Sequence, residues 1–158
     1  MDDNRPTVMI VDDEAPVTMS LRDLFLVQAD FRIVTHTSAR AALSAAGTLA
    51  VDLVISDYRM PEMDGATFLS RFKEIQPHAI LVLMAEAADK EKAIRAINPA
   101  DLYHWVEKPW DHDHLLKVVG NGLEKRALLR ALEAKTEELN QANSKLKSIQ
   151  TELVKAFV

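Results

Sequence analysis

Five short apolar runs, each followed by a stretch with helical spacing, constrain this chain more than any other feature. Residues 7–11 form the first run and end at Asp12-Asp13-Glu14; residues 15–28 then place Val17, Leu21, Leu24 and Phe25 on one helical face. Residues 31–35 read as a second strand, and Ser38 as the N-cap of an alanine-rich helix that stops near Gly47. A third strand over 51–56 precedes a helix over 65–75. A fourth strand over 79–84 precedes a helix over 88–97 that ends before Asn98-Pro99. A fifth strand over 102–106 leads into a helix from about Asp111. The runs are continuously apolar, not alternating, which marks strands buried on both faces. The repeats therefore predict an α/β domain: a five-stranded parallel sheet with helices on both sides.

In open sheets of this class the working site lies at the carboxyl ends of the strands. Asp12 and Asp13 follow strand one, Asp57 follows strand three, Met84 ends strand four and Lys108 follows strand five. Taken singly, each has an ordinary reading. An Asp pair after a strand is often a turn or a helix cap, Asp57 could be a turn residue before Pro61, and Lys108 could be a solvated lysine. Convergence changes this. Three carboxylates brought to one sheet edge repel one another and need a cation. The donor set is oxygen only, since the chain has no cysteine, and its five histidines are scattered and read as surface residues; this favours a hard ion such as magnesium. An aspartate beside such an ion can attack phosphorus, and Lys108 can neutralise the phosphoryl oxygens from the other side.

The stretches Val11-Asp12-Asp13-Glu14, Asp57-Tyr58-Arg59-Met60-Pro61-Glu62-Met63-Asp64-Gly65 and Lys108-Pro109 resemble the signature of bacterial response-regulator receiver domains of two-component systems. The resemblance covers about residues 5–122, leaving 123–158 as a helical linker. It implies a flavodoxin-like (βα)5 fold with strand order 2-1-3-4-5. It also implies a phosphoryl group taken by Asp57 from a histidine kinase or a histidine phosphotransfer protein, a regulatory role and not an enzymatic one. Magnesium would be bound by Asp13, Asp57 and the backbone carbonyl of Arg59, with Asp12 helping through water. Pro61 and Gly65 would shape the loop after the acceptor.

The sequence departs from that family after strand four. Receivers usually carry Ser or Thr there, with a hydroxyl that reaches the phosphoryl group, and here the position is Met84; no Ser or Thr occurs between Ser70 and Thr136. The companion aromatic of the switch is Trp105, which reads equally as a core residue of strand five. Met84 is expected to lie in the path Trp105 would take inward, or to pack beneath it.

From Leu128 the apolar positions fall at heptad spacing: Leu132, Leu139, Leu146 and Leu153 as a, with Leu128, Lys135, Ala142, Ile149 and Ala156 as d. This predicts a coiled coil and a homodimer; the alternative is a single amphipathic helix packed on its own domain. Gly120 and Gly122 mark a hinge or break at the join. The segment 103–110 resembles receivers joined by helical linkers to enzymatic effectors such as cyclic-di-GMP phosphodiesterases, with an effector expected after Val158.

The net charge of −5 argues against a nucleic-acid surface, and no apolar run reaches the ~20 residues needed to span a bilayer. With no signal peptide, the sequence predicts a cytoplasmic protein. Two other readings stand beside the phosphoacceptor. One is a phosphorylation-independent interaction module, favoured by Met84. The other is a magnesium-dependent phosphohydrolase, disfavoured because Arg59 stands where such enzymes place a second aspartate.

Overall fold

The computed structural model describes residues 4–27, 30–99 and 101–157. The elements are β1 (Thr7–Val11), α1 (Ala15–Leu26), β2 (Arg32–His36), α2 (Ala39–Ala46), β3 (Leu53–Asp57), α3 (Gly65–Ile75) and β4 (Ile80–Glu86). A 3-10 turn (Ala87–Asp89) then leads to α4 (Lys90–Ala96), β5 (Leu102–Lys108) and α5 (His112–Ala156). All strand pairs are parallel and the sheet order is β2-β1-β3-β4-β5. This is the predicted flavodoxin-like arrangement.

Successive residues of a strand point to opposite faces, and both faces here are covered. Met9, Val11, Val54, Leu81 and Leu83 point to one side, where they meet Ala42, Phe68, Phe72 and Ala93 of α2, α3 and α4. Val8, Ile10, Ile55, Val82 and Met84 point to the other and meet Leu21 and Phe25 of α1 and Leu115 and Val119 of α5. The continuous apolar runs follow from this double coverage.

Several boundaries differ from the sequence expectation. The first helix ends at Leu26; Gln28, its predicted end, lies outside the described residues. β3 begins at Leu53; the preceding Asp52 accepts the Thr7 N–H on its carboxylate at 2.8 Å. β4 and β5 each run two residues further than their apolar cores, to Glu86 and Lys108. The predicted helix over 88–97 is a 3-10 turn followed by the seven-residue α4. The Ser38 cap is as expected: its hydroxyl accepts the Ala41 N–H at 3.3 Å.

α5 has no break at either glycine. Gly122 is buried, and a Cβ there would stand 2.7 Å from Leu53 Cδ1, 3.2 Å from Ile80 Cγ2 and 3.3 Å from Tyr103 Cε1. Its bare backbone lets α5 approach the sheet closely. Gly120 faces open space. The chain divides into two compact units, one ending at Arg126 and one beginning at Ala127. The predicted linker begins four residues earlier, but Leu123 packs on the core and Arg126 lies 3.9 Å from the buried Asp52, which keeps both in the first unit. The second unit is helical and carries Leu128, Leu132, Leu139, Leu146, Ile149 and Leu153 exposed. No helix among the described residues is long and apolar enough to cross a membrane.

The two glycines should respond oppositely to substitution. Gly120→Ala should raise stability by about 0.5–1 kcal/mol, the gain from restricting a helix-interior glycine. Gly122→Val should lower it by roughly 1–3 kcal/mol through overpacking against Leu53 and Ile80. Thermal or urea unfolding of both variants measures the contrast; stabilisation by both would contradict the close approach.

Candidate functional site

β1 and β3 are neighbours in the sheet, so their carboxyl ends bring Asp12, Asp13 and Asp57 together without any long loop. One carboxylate oxygen from each of the three lies within 4.8 Å of those of the others. Asp12 is fully buried, and its Oδ1 accepts the Glu14 N–H at 2.9 Å, which fixes the turn into α1. Asp13 is exposed at the mouth. Asp57 is the last residue of β3 and is buried.

Lys108 closes the cluster from β5. Its Nζ lies 2.9 Å from Asp57 Oδ1 and 3.2 Å from Asp12 Oδ2, and the peptide bond that follows it, to Pro109, is cis. Burial pushes the Asp57 carboxyl above its ordinary range; the Lys108 hydrogen bond opposes this, and the charges of Asp12 and Asp13 reinforce it. For Lys108, burial alone would disfavour the ammonium, but Asp57 and Asp12 outweigh it and hold the lysine above its usual value. One ammonium facing three carboxylates leaves a deficit of positive charge. With an all-oxygen donor set, that deficit suits a hard divalent cation.

The loop after Asp57 is tightly built. Tyr58 donates its N–H to the Met84 carbonyl at 2.8 Å, and Gly65 donates its own to the Tyr58 carbonyl at 2.7 Å. A Cβ on Gly65 would collide with the Asp57 carbonyl and stand 2.9 Å from Tyr58 Cα, so only glycine lets α3 start this close to Asp57. Asp64 caps α3, accepting the Thr67 N–H at 2.8 Å. A cavity of about 230 Å³ opens over the cluster, and its lining includes Asp13, Asp57, Arg59, Glu86, Asp89 and Lys108.

Met84 stands opposite Asp57 in the β3–β4 register and is completely buried. Its side chain packs with Val106 and Leu115, whereas Trp105 packs with the cluster on the other side of the sheet. The expectation that Met84 blocks or underlies Trp105 is therefore corrected: strand alternation sends the two to opposite faces. Trp105 is half-buried, its indole N–H is enclosed without a hydrogen-bond partner, and the Lys90 ammonium lies 5.0 Å from the ring centroid.

Two histidines also depart from the surface reading. His36 and His104 are half-buried, and burial lowers both below the ordinary histidine value, helped for His104 by His114, whose ring centroid is 5.5 Å away. None of the five belongs to the acidic cluster. Sequence reasoning missed one pair altogether. The Arg59 side chain, considered only for its backbone carbonyl, bonds Asp89 through Nε at 2.7 Å and Nη2 at 3.0 Å. Thirty residues separate the two, and no local pattern announces their contact.

The sequence pattern of the response regulator receiver domain matches residues 8–120. The chain is 32% identical over 128 residues to the hydrogenase transcriptional regulatory protein HoxA of Cupriavidus necator, covering 81% of this chain and 26% of that protein. It thus spans about a quarter of that regulator's length. It is also 32% identical over 117 residues to the chemotaxis protein CheY of Bacillus subtilis, covering 73% of this chain and 96% of CheY. Among solved structures, the signal receiver domain of an HD domain-containing protein from Pseudomonas fluorescens superposes with a TM-score of 0.72 at 31% identity, covering 78% of this chain and 98% of that one. With the sheet order, the acidic cluster and Lys108 in place, the chain belongs to the response regulator receiver domain family, whose members act as regulatory phosphoacceptors in two-component signal transduction.

Proposed function

We propose that Asp57 accepts a phosphoryl group from the phosphohistidine of a histidine kinase or of a histidine phosphotransfer protein. A carboxylate oxygen of Asp57 attacks phosphorus, the new P–O bond forms as the P–N bond breaks, and the imidazole leaves with the electron pair and takes up a proton. The observation that carries this reading is the placement of a buried Asp57 2.9 Å from Lys108 and within one acidic cluster with Asp12 and Asp13. Lys108 is positioned to neutralise oxygen charge developing on phosphorus. Gly65 ties the acceptor loop to the start of α3 by donating its N–H to the Tyr58 carbonyl at 2.7 Å.

Receiver domains bind magnesium in an acidic pocket. Asp13, Asp57 and the Arg59 backbone carbonyl would hold it here, with Asp12 acting through water; three carboxylates against one ammonium fit such an ion. When bound, it supplies charge neutralisation at the phosphoryl oxygens. The negative net charge and the absence of a clustered basic surface in the sequence support a cytoplasmic partner protein, not nucleic acid, as the contact of this segment.

The state of Asp57 is relayed through the C-terminal helix, which pairs with a second copy of the chain. Leu132, Leu139 and Leu146 are each more than 60% exposed, at seven-residue spacing. Burying such a stripe against its counterpart is favourable by roughly 25 cal/mol per Å². A second reading, an interaction module that never takes a phosphoryl group, is favoured by Met84 alone, since a thioether supplies no donor to a phosphoryl oxygen.

Three outcomes are expected. Acetyl phosphate with magnesium should add one phosphoryl group by intact mass. Asp57→Asn should abolish the addition and a chelator should suppress it; labelling of the mutant at the wild-type rate would remove the assignment.

In light scattering at micromolar concentration, wild-type protein should be dimeric and the Leu139→Lys, Leu146→Lys double variant monomeric. A monomeric wild type would rule out pairing through this helix.

Met84 lies on the same side of β4 as Asp57 does of β3, so a threonine there would direct its hydroxyl toward the acceptor. A hydrogen bond to a charged group stabilises by about 1.5–3 kcal/mol. Met84→Thr should therefore enlarge the phosphorylation-dependent change in tryptophan fluorescence, read through Trp110, which packs against the same side of the sheet as Met84. A full-sized change in wild type with no gain in the variant would show that the hydroxyl is dispensable.

A further inference from the structure

Arg59 joins two parts of the molecule that the backbone leaves separate. Its guanidinium forks onto Asp89, Nε to Oδ2 at 2.7 Å and Nη2 to Oδ1 at 3.0 Å, the geometry that suits a carboxylate or a phosphoryl group equally. Asp89 is the last residue of the 3-10 turn, directly before α4, and its side chain is only 8% exposed. The Arg59 side chain is 72% exposed, so charge holds it in place and packing does not. One ion pair therefore fastens the acceptor loop to the start of α4.

Arg59 also borders the acidic cavity. Among the described residues lining it, Lys108 and Arg59 are the two cationic side chains, and no serine or threonine is present. A phosphoryl group on Asp57 would bring nearly two negative charges and three strong acceptor oxygens into that space. Lys108 is already engaged by Asp57 and Asp12. Arg59 then stands between a monoanionic carboxylate and a group of higher charge. Its departure would not strand Asp89 without a cation nearby, because Lys92, one turn along α4, lines the adjoining cavity together with Asp89 and Arg59.

We propose that phosphorylation draws the Arg59 guanidinium from Asp89 onto the phosphoryl group, and that this exchange loosens the 3-10 turn and the first turn of α4. It supplies a donor to the phosphoryl oxygens where Met84 supplies none, and it carries the state of the site to α4 by charge exchange. The inference rests on Asp57 being the phosphoacceptor.

The experiment is hydrogen–deuterium exchange over residues 86–96 in the full chain, with and without acetyl phosphate and magnesium, and with phosphoryl uptake followed by intact mass in the same samples. In wild type, exchange in this segment should rise by about twofold to fivefold on phosphorylation, the scale of a largely exposed ion pair. Asp89→Asn, which loosens the pair beforehand, should still take up one phosphoryl group. Its exchange should start high and rise no further. Arg59→Met should likewise start high. Uptake in wild type with unchanged exchange over 86–96 overturns the proposal, as does a rise in Asp89→Asn equal to that of wild type. No uptake in wild type overturns the phosphoacceptor reading itself, and the inference with it.

Discussion

The Lys108 ammonium, 3.2 Å from Asp12 and 2.9 Å from Asp57, is the contact on which the site depends. Asp12 has no solvent exposure and Asp57 very little, so neither charge is stabilised by bulk water. Two buried carboxylates side by side repel one another. The lysine lowers that tension but does not remove it: the Asp57 carboxyl still lies above its ordinary range because burial outweighs the ion pair. With Asp13 counted, three carboxylates face one ammonium, and the site is held short of two positive charges. An uncompensated charge of this kind suits a hard divalent cation, and in the proposed reaction that cation and the phosphoryl group would each offset the charge of the other.

The sheet makes that balance affordable in geometry. Asp12 and Asp57 end adjacent strands, and Lys108 ends β5, reaching across the end of β4. What occupies the end of β4 thus decides what else borders Asp57. Met84 fills the space below with an apolar side chain belonging to the α1–α5 face of the core. Trp105, on the opposite face, is in contact with other groups: Lys90 over its ring, and a buried indole N–H with no hydrogen-bond acceptor.

Much of this was legible in the sequence, for reasons that can be named. The β1, β3 and Lys108 positions were found because a parallel sheet puts every strand's carboxyl end on one edge, which turns sequence position into spatial proximity. Gly65 was legible as a loop residue, although its reason, the Asp57 carbonyl pressed against it, needs three dimensions. The hinge expected at Gly120 and Gly122 failed because propensity is local. Gly122 is a contact surface for Leu53 and Ile80, and tertiary packing sustains the helix through it. Met84 and Trp105 were misjudged relative to one another for a similar reason. The parity of each strand was readable, but which parity shares a face across two strands depends on register, and that register shifts between Leu81 and Val82. Arg59–Asp89 had no sequence signal, being a long-range pair of polar residues with no periodic pattern behind it.

The two units pose different physical problems. The first is complete as a core: its leucines, valines and phenylalanines are buried on both sides of the sheet. The second carries seven large aliphatic side chains in water, each more than half exposed, along a helix whose exposed charges include the pair Lys135 and Glu138 at 3.4 Å. A pair of exposed charges three residues apart stabilises a helix by only about 0.2–0.5 kcal/mol. Helix propensity and such pairs cannot account for a leucine at every seventh position, because an exposed helix gains as much from alanine or glutamate. The spacing has a purpose only if the stripe meets another apolar surface. A stripe of period seven, narrower than the face of a helix packed on a globular core, is the shape that a second helix of the same kind covers. In the proposed pairing, its one charged lapse, Lys135 at a d position, would weaken the seam locally and limit the register in which two copies could be matched.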